Sequence, residues 1–466
     1  MKIIKTVWHA AHNITLTRFL CNVILFLSCT SALIAQEKRP NIILILADDL
    51  GLGDISRFSD TYHTPNIDKI GLDGLQVSNY YAASPICSPS RAGILTGQFP
   101  AKIHFTTFLN TKADNKRKEQ VDFLDPEIPS IGKLLQSAGY ATGHFGKWHM
   151  GGGRDVVEAP NFDKYGFDAW SSTYESPDPD PAITATDWIW SDKDSIKRWN
   201  RTAYFVDRTL AFLKENAGKP CYVNLWTDDV HTPWVTGDNE NGRDPNNKPQ
   251  SEKSFIEVLK IYDKEIGRLM QGLKDLGVDS NTIVIFTSDN GPLPNFRQDR
   301  SAGLRGSKLS LYEGGVNMPF LIRWPGHIEA GRFDDTSIIS AVDLLPSFCE
   351  LAGVNTSGLI DLDGEDRTDV WLHRAAERTE PLIWEYGRNE FFSFPKQQNR
   401  SPILALREGK WKFLMNKDES QVELYDLSGD RKETRNVAAE NPILVQQYRK
   451  VLSNWRNSLP TFVPAE

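Results

Sequence analysis

Cysteine and histidine are scarce in this chain, at five and nine of 466 residues. Two of the cysteines, Cys21 and Cys29, lie in the first 35 residues. The others, Cys87, Cys221 and Cys349, are too few for a disulfide-built scaffold. Cys221 at a strand start and Cys349 in a helix read as buried thiols, though spacing leaves their pairing open. Excess positive charge is also missing: the formal net charge is −8. That argues against a general nucleic-acid binder. It leaves an anionic substrate open, because a local cationic pocket or a metal can reverse the field inside an acidic protein. Long apolar runs are absent as well. The run from Phe19 to Leu27 is too short to span a bilayer, and no second apolar segment offers a surface for membrane docking. Neither repeats nor low-complexity tracts occur.

What is present suits a soluble protein. A 40% hydrophobic share supports a sizeable core, 24% charged residues is average, and the length allows one large domain plus a smaller one. Lys2, Lys5 and Arg18, the apolar run and small residues up to Ala35 predict a signal peptide over residues 1–35. Ala32 and Ala35 both fit its cleavage site. The mature protein is therefore expected in the periplasm or secreted. Leu27-Ser28-Cys29 weakly matches a lipoprotein box, so an outer-membrane lipid anchor is the alternative and the one expected link to a membrane.

Asn41–Leu46, Cys221–Trp226 and Thr282–Thr287 are continuous apolar runs, the mark of parallel strands buried on both faces. Helical patterns fall between them at Ile67–Leu75, Ile131–Ala138, Ala203–Glu215 and Phe255–Leu276. The alternation predicts an α/β domain over residues 36–379, a large mostly parallel mixed sheet flanked by helices. From residue 380 the character changes. Short strands at Pro381–Glu385, Ile403–Leu406, Lys410–Met415 and Val422–Tyr425, then a helix at Pro442–Ser458, predict a C-terminal subdomain over 380–466, an antiparallel sheet with one packed helix. Thr111–Glu119 and Ser171–Trp199 look like insertions. In parallel sheets ligands bind at the carboxyl ends of strands. Asp48, Asp49, Asp228, His231, Asp289 and Asn290 all fall there.

The most informative stretch is Cys87-Ser88-Pro89-Ser90-Arg91. Ser88 suits an N-cap, Pro89 the first helical position, and Gly97 a C-cap. Cys87 is thus expected just before a short helix whose N–H groups favour an anion, with Arg91 one turn in. The helix alone fits a reactive site and an ordinary buried cysteine equally well. Asp48-Asp49 and Asp289-Asn290 follow two strands, and together they make a hard-oxygen cage suited to Ca²⁺. Lys147 and His149 alternate as on a strand, which would turn them to one face.

Cys-x-Pro-x-Arg followed by Thr96-Gly97 resembles the signature of the type I sulfatases, of the alkaline-phosphatase-like superfamily. Tyr140-Ala-Thr-Gly-His-Phe-Gly-Lys-Trp-His-Met-Gly151 is similar to the family's second signature, with Met150 where Leu is usual. His231-Thr-Pro233 resembles its strand-end His-x-Pro, and Gly303–Lys308 with Leu311–Gly315 its last motif. The resemblance spans about Pro40 to Asn436. It implies that Cys87 is oxidised to formylglycine by a formylglycine-generating or sulfatase-maturating enzyme. It implies one Ca²⁺ on Asp48, Asp49, Asp289 and Asn290, also touching residue 87. Arg91 would stabilise the hydrated aldehyde. Lys147, His231 and Lys308 would bind sulfate, with His231 or Lys308 as general acid and His149 as base. A phosphate or phosphonate monoester hydrolase of the superfamily, an arylsulfatase and a glycan-binding pseudosulfatase are the competing readings. The oxygen-only metal motifs speak against a two-zinc phosphatase.

A sulfated carbohydrate is the expected substrate. Trp188, Trp190 and Trp199, among Asp and Lys residues, offer faces for sugar rings or else pack the insertion onto the core. His104 and Arg388 are further candidates for the pocket rim.

Overall fold

The computed structural model describes residues 39–186, 189–237, 251–359, 361–387 and 392–463. The segment read as a signal peptide lies outside them, as do Trp188 and Arg388. Pro40–Glu466 forms one compact unit. Among the described residues no helix is long and apolar enough to cross a membrane.

Nine strands build the large sheet: β1 (Asn41–Ala47), β2 (Leu75–Tyr81), β3 (Ala141–Gly146), β4 (Ala169–Ser172), β5 (Cys221–Trp226), β6 (Thr282–Ser288), β7 (Asn317–Arg323), β8 (Arg332–Asp334) and β9 (Ile339–Ser340). Their order is β4-β3-β5-β1-β6-β7-β2-β8, with β9 beside β2. The run from β4 to β6 is parallel, while β7 pairs antiparallel with both β6 and β2. The apolar runs have the physical cause expected of them. Ile42, Leu44 and Leu46 enter the core on one face of β1, and Ile43, Ile45 and Ala47 enter the core on the other. The register sets Ala47 of β1 against Ser288 of β6. Asp48 and Asp289 therefore leave the sheet side by side.

The helices Pro65–Leu72, Ile131–Ser137, Arg201–Glu215 and Glu252–Asp275 match the predicted ones within three residues at either end. The helix at the nucleophile motif differs in its start. It runs Cys87–Thr96 with Ile86 as N-cap, so Cys87 is its first residue and not the one before it. The reason is tertiary: the Ser88 hydroxyl accepts a hydrogen bond from the Leu109 N–H at 3.0 Å and does not cap. Gly97 ends the helix at φ 68°, its N–H donating to the Gly93 carbonyl at 2.9 Å. Strand β3 likewise stops at Gly146 (φ 124°), where a Cβ would lie 1.9 Å from the Trp226 carbonyl oxygen. Lys147 and His149 are consequently loop residues, with His149 at φ 58°.

A second sheet, antiparallel in the order β10 (Leu382–Glu385), β11 (Leu404–Glu408), β12 (Trp411–Met415) and β13 (Glu423–Asp426), carries the helix Pro442–Ser458 through Tyr448 and Leu452. A buried ion cluster ties this sheet to the large one. Lys412 Nζ lies 2.8 Å from Glu313 and 3.0 Å from Glu433, and the Tyr81 hydroxyl donates to Glu313 at 3.0 Å. One cation serves two carboxylates. Burial pushes Glu433 up to about 7 from 4.5, against the pull of Lys412 and with the charge of Glu313 adding to the rise. The folded state then binds more protons than the unfolded one between those values, so this group lowers stability as pH rises through that window. Glu433→Gln is expected to gain stability relative to the parent at pH 8 compared with pH 5. Thermal unfolding at the two pH values checks this, and an unchanged difference would contradict it. Cys87, Cys221 and Cys349 are all free and buried.

Candidate active site

The carboxyl ends of β1, β3, β4 and β5 and the start of the Cys87–Thr96 helix meet at a cavity of about 200 Å³. Asp48, Cys87, Lys147, His149, His231 and Lys308 all line it. Every catalytic candidate but one is thus on its wall. The exception, Arg91, is fully buried beneath it, its guanidinium 5.5 Å from the centre of the Trp226 ring.

Charge is dense and paired. Lys147 Nζ lies 2.8 Å from Asp48 Oδ2, and Lys308 Nζ 2.6 and 2.8 Å from the two Asp49 oxygens. Lys308 Nζ also comes within 3.9 Å of Cys87 Sγ. Arg91 donates twice to Asp289 Oδ2, at 2.7 and 3.0 Å, and once to the Lys147 carbonyl at 2.8 Å. Burial opposes all of these charges, but the carboxylates win at the lysines and hold both ammonium groups above their ordinary value. Burial pushes the Cys87 thiol up to about 11 although two lysines are near, so at neutral pH it is protonated and a poor nucleophile.

Groups that could hold a metal ion gather in the same place. One oxygen each of Asp48 and Asp289 and the sulfur of Cys87 lie within 4.8 Å of one another, as do ligand atoms of Asp48, Asp49 and His231. Asp48 Oδ1 and Asn290 Oδ1 are buried without any hydrogen-bond partner. Asn290 spends its amide nitrogen on Asp49 and the Gly291 carbonyl, which leaves the carbonyl oxygen for something else. Burial, with the charges of Asp48 and Asp49 adding, pushes Asp289 up to about 7 despite Arg91. Crowded carboxylates and two orphaned oxygens fit a hard divalent cation. The backbone around them is braced. Asp49 sits at φ 59°, and Arg300, held by Asp54, donates to its carbonyl at 2.8 Å. A Cβ at Gly51 would fall 2.0 Å from the Arg300 carbonyl oxygen.

His231 projects from the loop after β5, its Nε2 3.5 Å from Asp49. Its Nδ1 lies 2.6 Å from the Thr232 carbonyl, an acceptor only, so Nδ1 carries the hydrogen and Nε2 faces the site. Burial lowers the ring's affinity for a proton although Asp49 and Asp48 favour it.

Two rim candidates need correction, and two lie outside the described residues. His104 does not border this cavity. It lines a separate one with Glu385, Lys417 and Arg456, its ring edge-on to Phe462 at 5.5 Å. Trp190 is only 1% exposed and presents no face to a ligand. The segment folds in on itself there: Asp194 accepts from the N–H groups of Ala185 and Ser191 and pairs with Arg201, which buries Ile183, Trp190 and Arg198. Trp188 and Arg388 lie outside the described residues, and Trp199 is partly exposed.

The same segment reaches the cavity with other residues, Thr173, Tyr174, Glu175, Ile189 and Arg198. Sequence reading missed them. Arg198 pairs with Asp228 and donates to the carbonyls of Asp228 and His231 at 2.7 and 3.1 Å, fixing the loop that carries His231. Phe108 and Phe392, with ring centres 5.8 Å apart and near-perpendicular, form an apolar wall that was also missed. The one signal in the sequence is position: Phe108 lies four residues past His104.

Cations around a nucleophile position, beside a hard-oxygen cage at the strand ends of an α/β sheet, define a hydrolase of anionic esters. The family is settled by comparison. The profile of the family described as Sulfatase matches residues 40–354, and that of N-sulphoglucosamine sulphohydrolase, C-terminal, matches residues 307–459. The chain belongs to the sulfatase family of the alkaline-phosphatase-like superfamily and is a sulfuric ester hydrolase. It is 27% identical over 505 residues to an N-acetylgalactosamine-6-O-sulfatase of Bacteroides thetaiotaomicron, covering 90% of this chain and 93% of that one. It is 31% identical over 386 residues to the N-acetylgalactosamine-6-sulfatase of Sus scrofa, covering 75% of this chain and 69% of that one. A solved 6S-sulfatase from glycosaminoglycan metabolism in B. thetaiotaomicron superposes with a TM-score of 0.72 at 24% identity, covering 90% of this chain and 100% of the other, and bears on the fold.

Proposed function

We propose that this chain is an exported sulfatase of sulfated carbohydrates, with Cys87 converted to formylglycine by a maturation enzyme and a calcium ion in the oxygen cage. The observation that carries the reading is the placement of Cys87. It opens a buried helix on the cavity wall, with the Lys308 ammonium 3.9 Å from its sulfur and Asp48 and Asp289 beside it. As a thiol it is held protonated and inert. The hydrated aldehyde would supply two hydroxyls on one carbon, one to attack sulfur and one to release sulfate with C–O cleavage. Asp48, Asp49, Asp289 and Asn290 would hold calcium, which offsets charge on the sulfate oxygens.

The rest falls to side chains already in place. Lys147 and Lys308 bind the sulfate oxygens and offset the charge that builds up in the transition state. Arg91 fixes Asp289 and the Lys147 backbone, and so the positions of cage and cation. A sugar alkoxide is a basic leaving group and needs a proton. Lys308 Nζ carries a proton to give, His231 Nε2 gives one only when its ring is protonated, and His149 is the base that takes a proton from residue 87.

Support for a carbohydrate comes from the relatives named as N-acetylgalactosamine 6-sulfatases. It comes also from the wall of Phe108, Phe392 and Tyr174, whose rings suit the apolar face of a pyranose. Comparative kinetics test it: 4-nitrophenyl sulfate against a panel of sulfated oligosaccharides that includes 6-O-sulfated N-acetylgalactosamine. Desulfation of at least one sugar with higher kcat/KM than the aryl ester is expected. Efficient turnover of the aryl ester with no sugar desulfated would overturn the carbohydrate reading.

A further inference from the structure

Among the described residues, Glu175 is the one carboxylate at the cavity wall that takes no part in the oxygen cage and touches two of the catalytic candidates. Its Oε1 lies 3.5 Å from His149 Nε2 and accepts from the Tyr174 hydroxyl at 2.9 Å, while its Oε2 lies 3.8 Å from Lys147 Nζ. The backbone locks the two segments together. The His149 N–H donates to the Glu175 carbonyl at 3.0 Å, and the Gly153 N–H to the Ser176 carbonyl at 2.6 Å. This clamp accompanies the left-handed backbone of His149 at φ 58°. The other ring nitrogen, Nδ1, is buried and has no hydrogen-bond partner.

These facts decide between the two neutral forms of the ring. With the hydrogen on Nδ1, a buried donor would be unpaired and a lone pair on Nε2 would face a carboxylate. With the hydrogen on Nε2, the donor has a carboxylate oxygen of Glu175 3.5 Å away and the lone pair sits on Nδ1. We infer that Glu175 is the positioning residue of His149, accepting from Nε2–H so that Nδ1 is kept as the base for the hydroxyl on residue 87. The inference rests on the sulfatase mechanism proposed above for the role of that base. In the step, the O–H bond of residue 87 breaks and an Nδ1–H bond forms. The ring becomes an imidazolium, and Glu175 stays ionised and offsets its charge, as the carboxylate of a Ser-His-Asp triad does. Burial pushes His149 down to about 3 against the pull of Glu175, so the ring rests neutral; burial would push Glu175 up, but the Lys147 charge and the Tyr174 hydroxyl hold it below its ordinary value. The charged groups acting on the ring are Glu175, Lys147, Arg91 and Asp48.

The test uses the full chain with Cys87 unmodified, so it does not depend on activity. In ¹⁵N-histidine NMR, with His149 assigned by the signals lost in His149→Phe, the ring is expected to show the Nε2–H tautomer. In Glu175→Leu that pattern should give way to a mixture. In the same variant carrying formylglycine, kcat should fall about 10²-fold. An Nδ1–H tautomer in the parent protein would overturn the inference, and so would an unchanged tautomer and kcat in Glu175→Leu. Should that variant not fold, the parent spectrum alone decides. A correct tautomer in a protein with no sulfatase activity would instead strike the proposed function.

Discussion

Cys87→Ser is expected to give a folded protein that no longer turns over sulfate esters. The fold should tolerate it. The change swaps one atom at a residue 3% exposed, and Lys308 stands ready to bond a hydroxyl there. The chemistry should not. Serine brings a single hydroxyl, which can accept sulfate but leaves no second hydroxyl on the same carbon to expel it. A loss of about 10⁴-fold or more in kcat is expected, the scale on which removing a nucleophile acts. Intact-mass analysis should then find sulfate retained on the variant after incubation with substrate. In the parent protein, peptide mass spectrometry should show sulfur lost and an aldehyde oxygen gained at position 87. A chain that is active as natively produced and carries only a thiol there would sink the mechanism. Steady turnover by Cys87→Ser would do the same.

The parts of the fold that could be read from the sequence are those buried on both faces or patterned at one period. β1, β5 and β6 are unbroken apolar runs because helices cover both sides of the sheet. The strands that went unnamed lack that signal. β2 carries Gln76, Ser78 and Asn79 and shifts register between Val77 and Tyr80, β7 contains Pro319, and β9 has two residues. The errors at the site share one cause, a partner far away in sequence. Ser88 has the chemistry of a cap, but Leu109 claims its hydroxyl. Lys147 and His149 do face one cavity as expected, yet through a loop that starts where Gly146 meets the β5 backbone. Glu175 and Arg198 lie in an irregular segment with no period to read. Trp190 shows the same limit from the other side, since composition offers an aromatic ring and cannot say that the segment folds over it.

Asp289→Ala should remove the metal and with it the activity. Asp289 is the residue on which cage and cationic support converge: Oδ2 takes two hydrogen bonds from Arg91, while Oδ1 takes the Asp49 N–H at 3.2 Å. In the parent protein we expect one calcium per chain, with ligand oxygens at about 2.3–2.6 Å. Without the ion, Asp48 and Asp49 keep their lysines, but Asp48 Oδ1 and Asn290 Oδ1 stay buried and unpaired. Bound calcium at 100 times its Kd would add about 2.7 kcal/mol of stability, and the variant should forfeit it. The electrostatic stabilisation of the sulfate oxygens goes too, so kcat should fall by about 10³-fold or more. Elemental analysis gives the stoichiometry, and thermal unfolding with and without chelator gives the stability. The parent should lose both melting temperature and activity to the chelator and regain them with calcium, whereas Asp289→Ala should respond to neither. Stoichiometric zinc, or activity that survives calcium removal, would contradict the assignment.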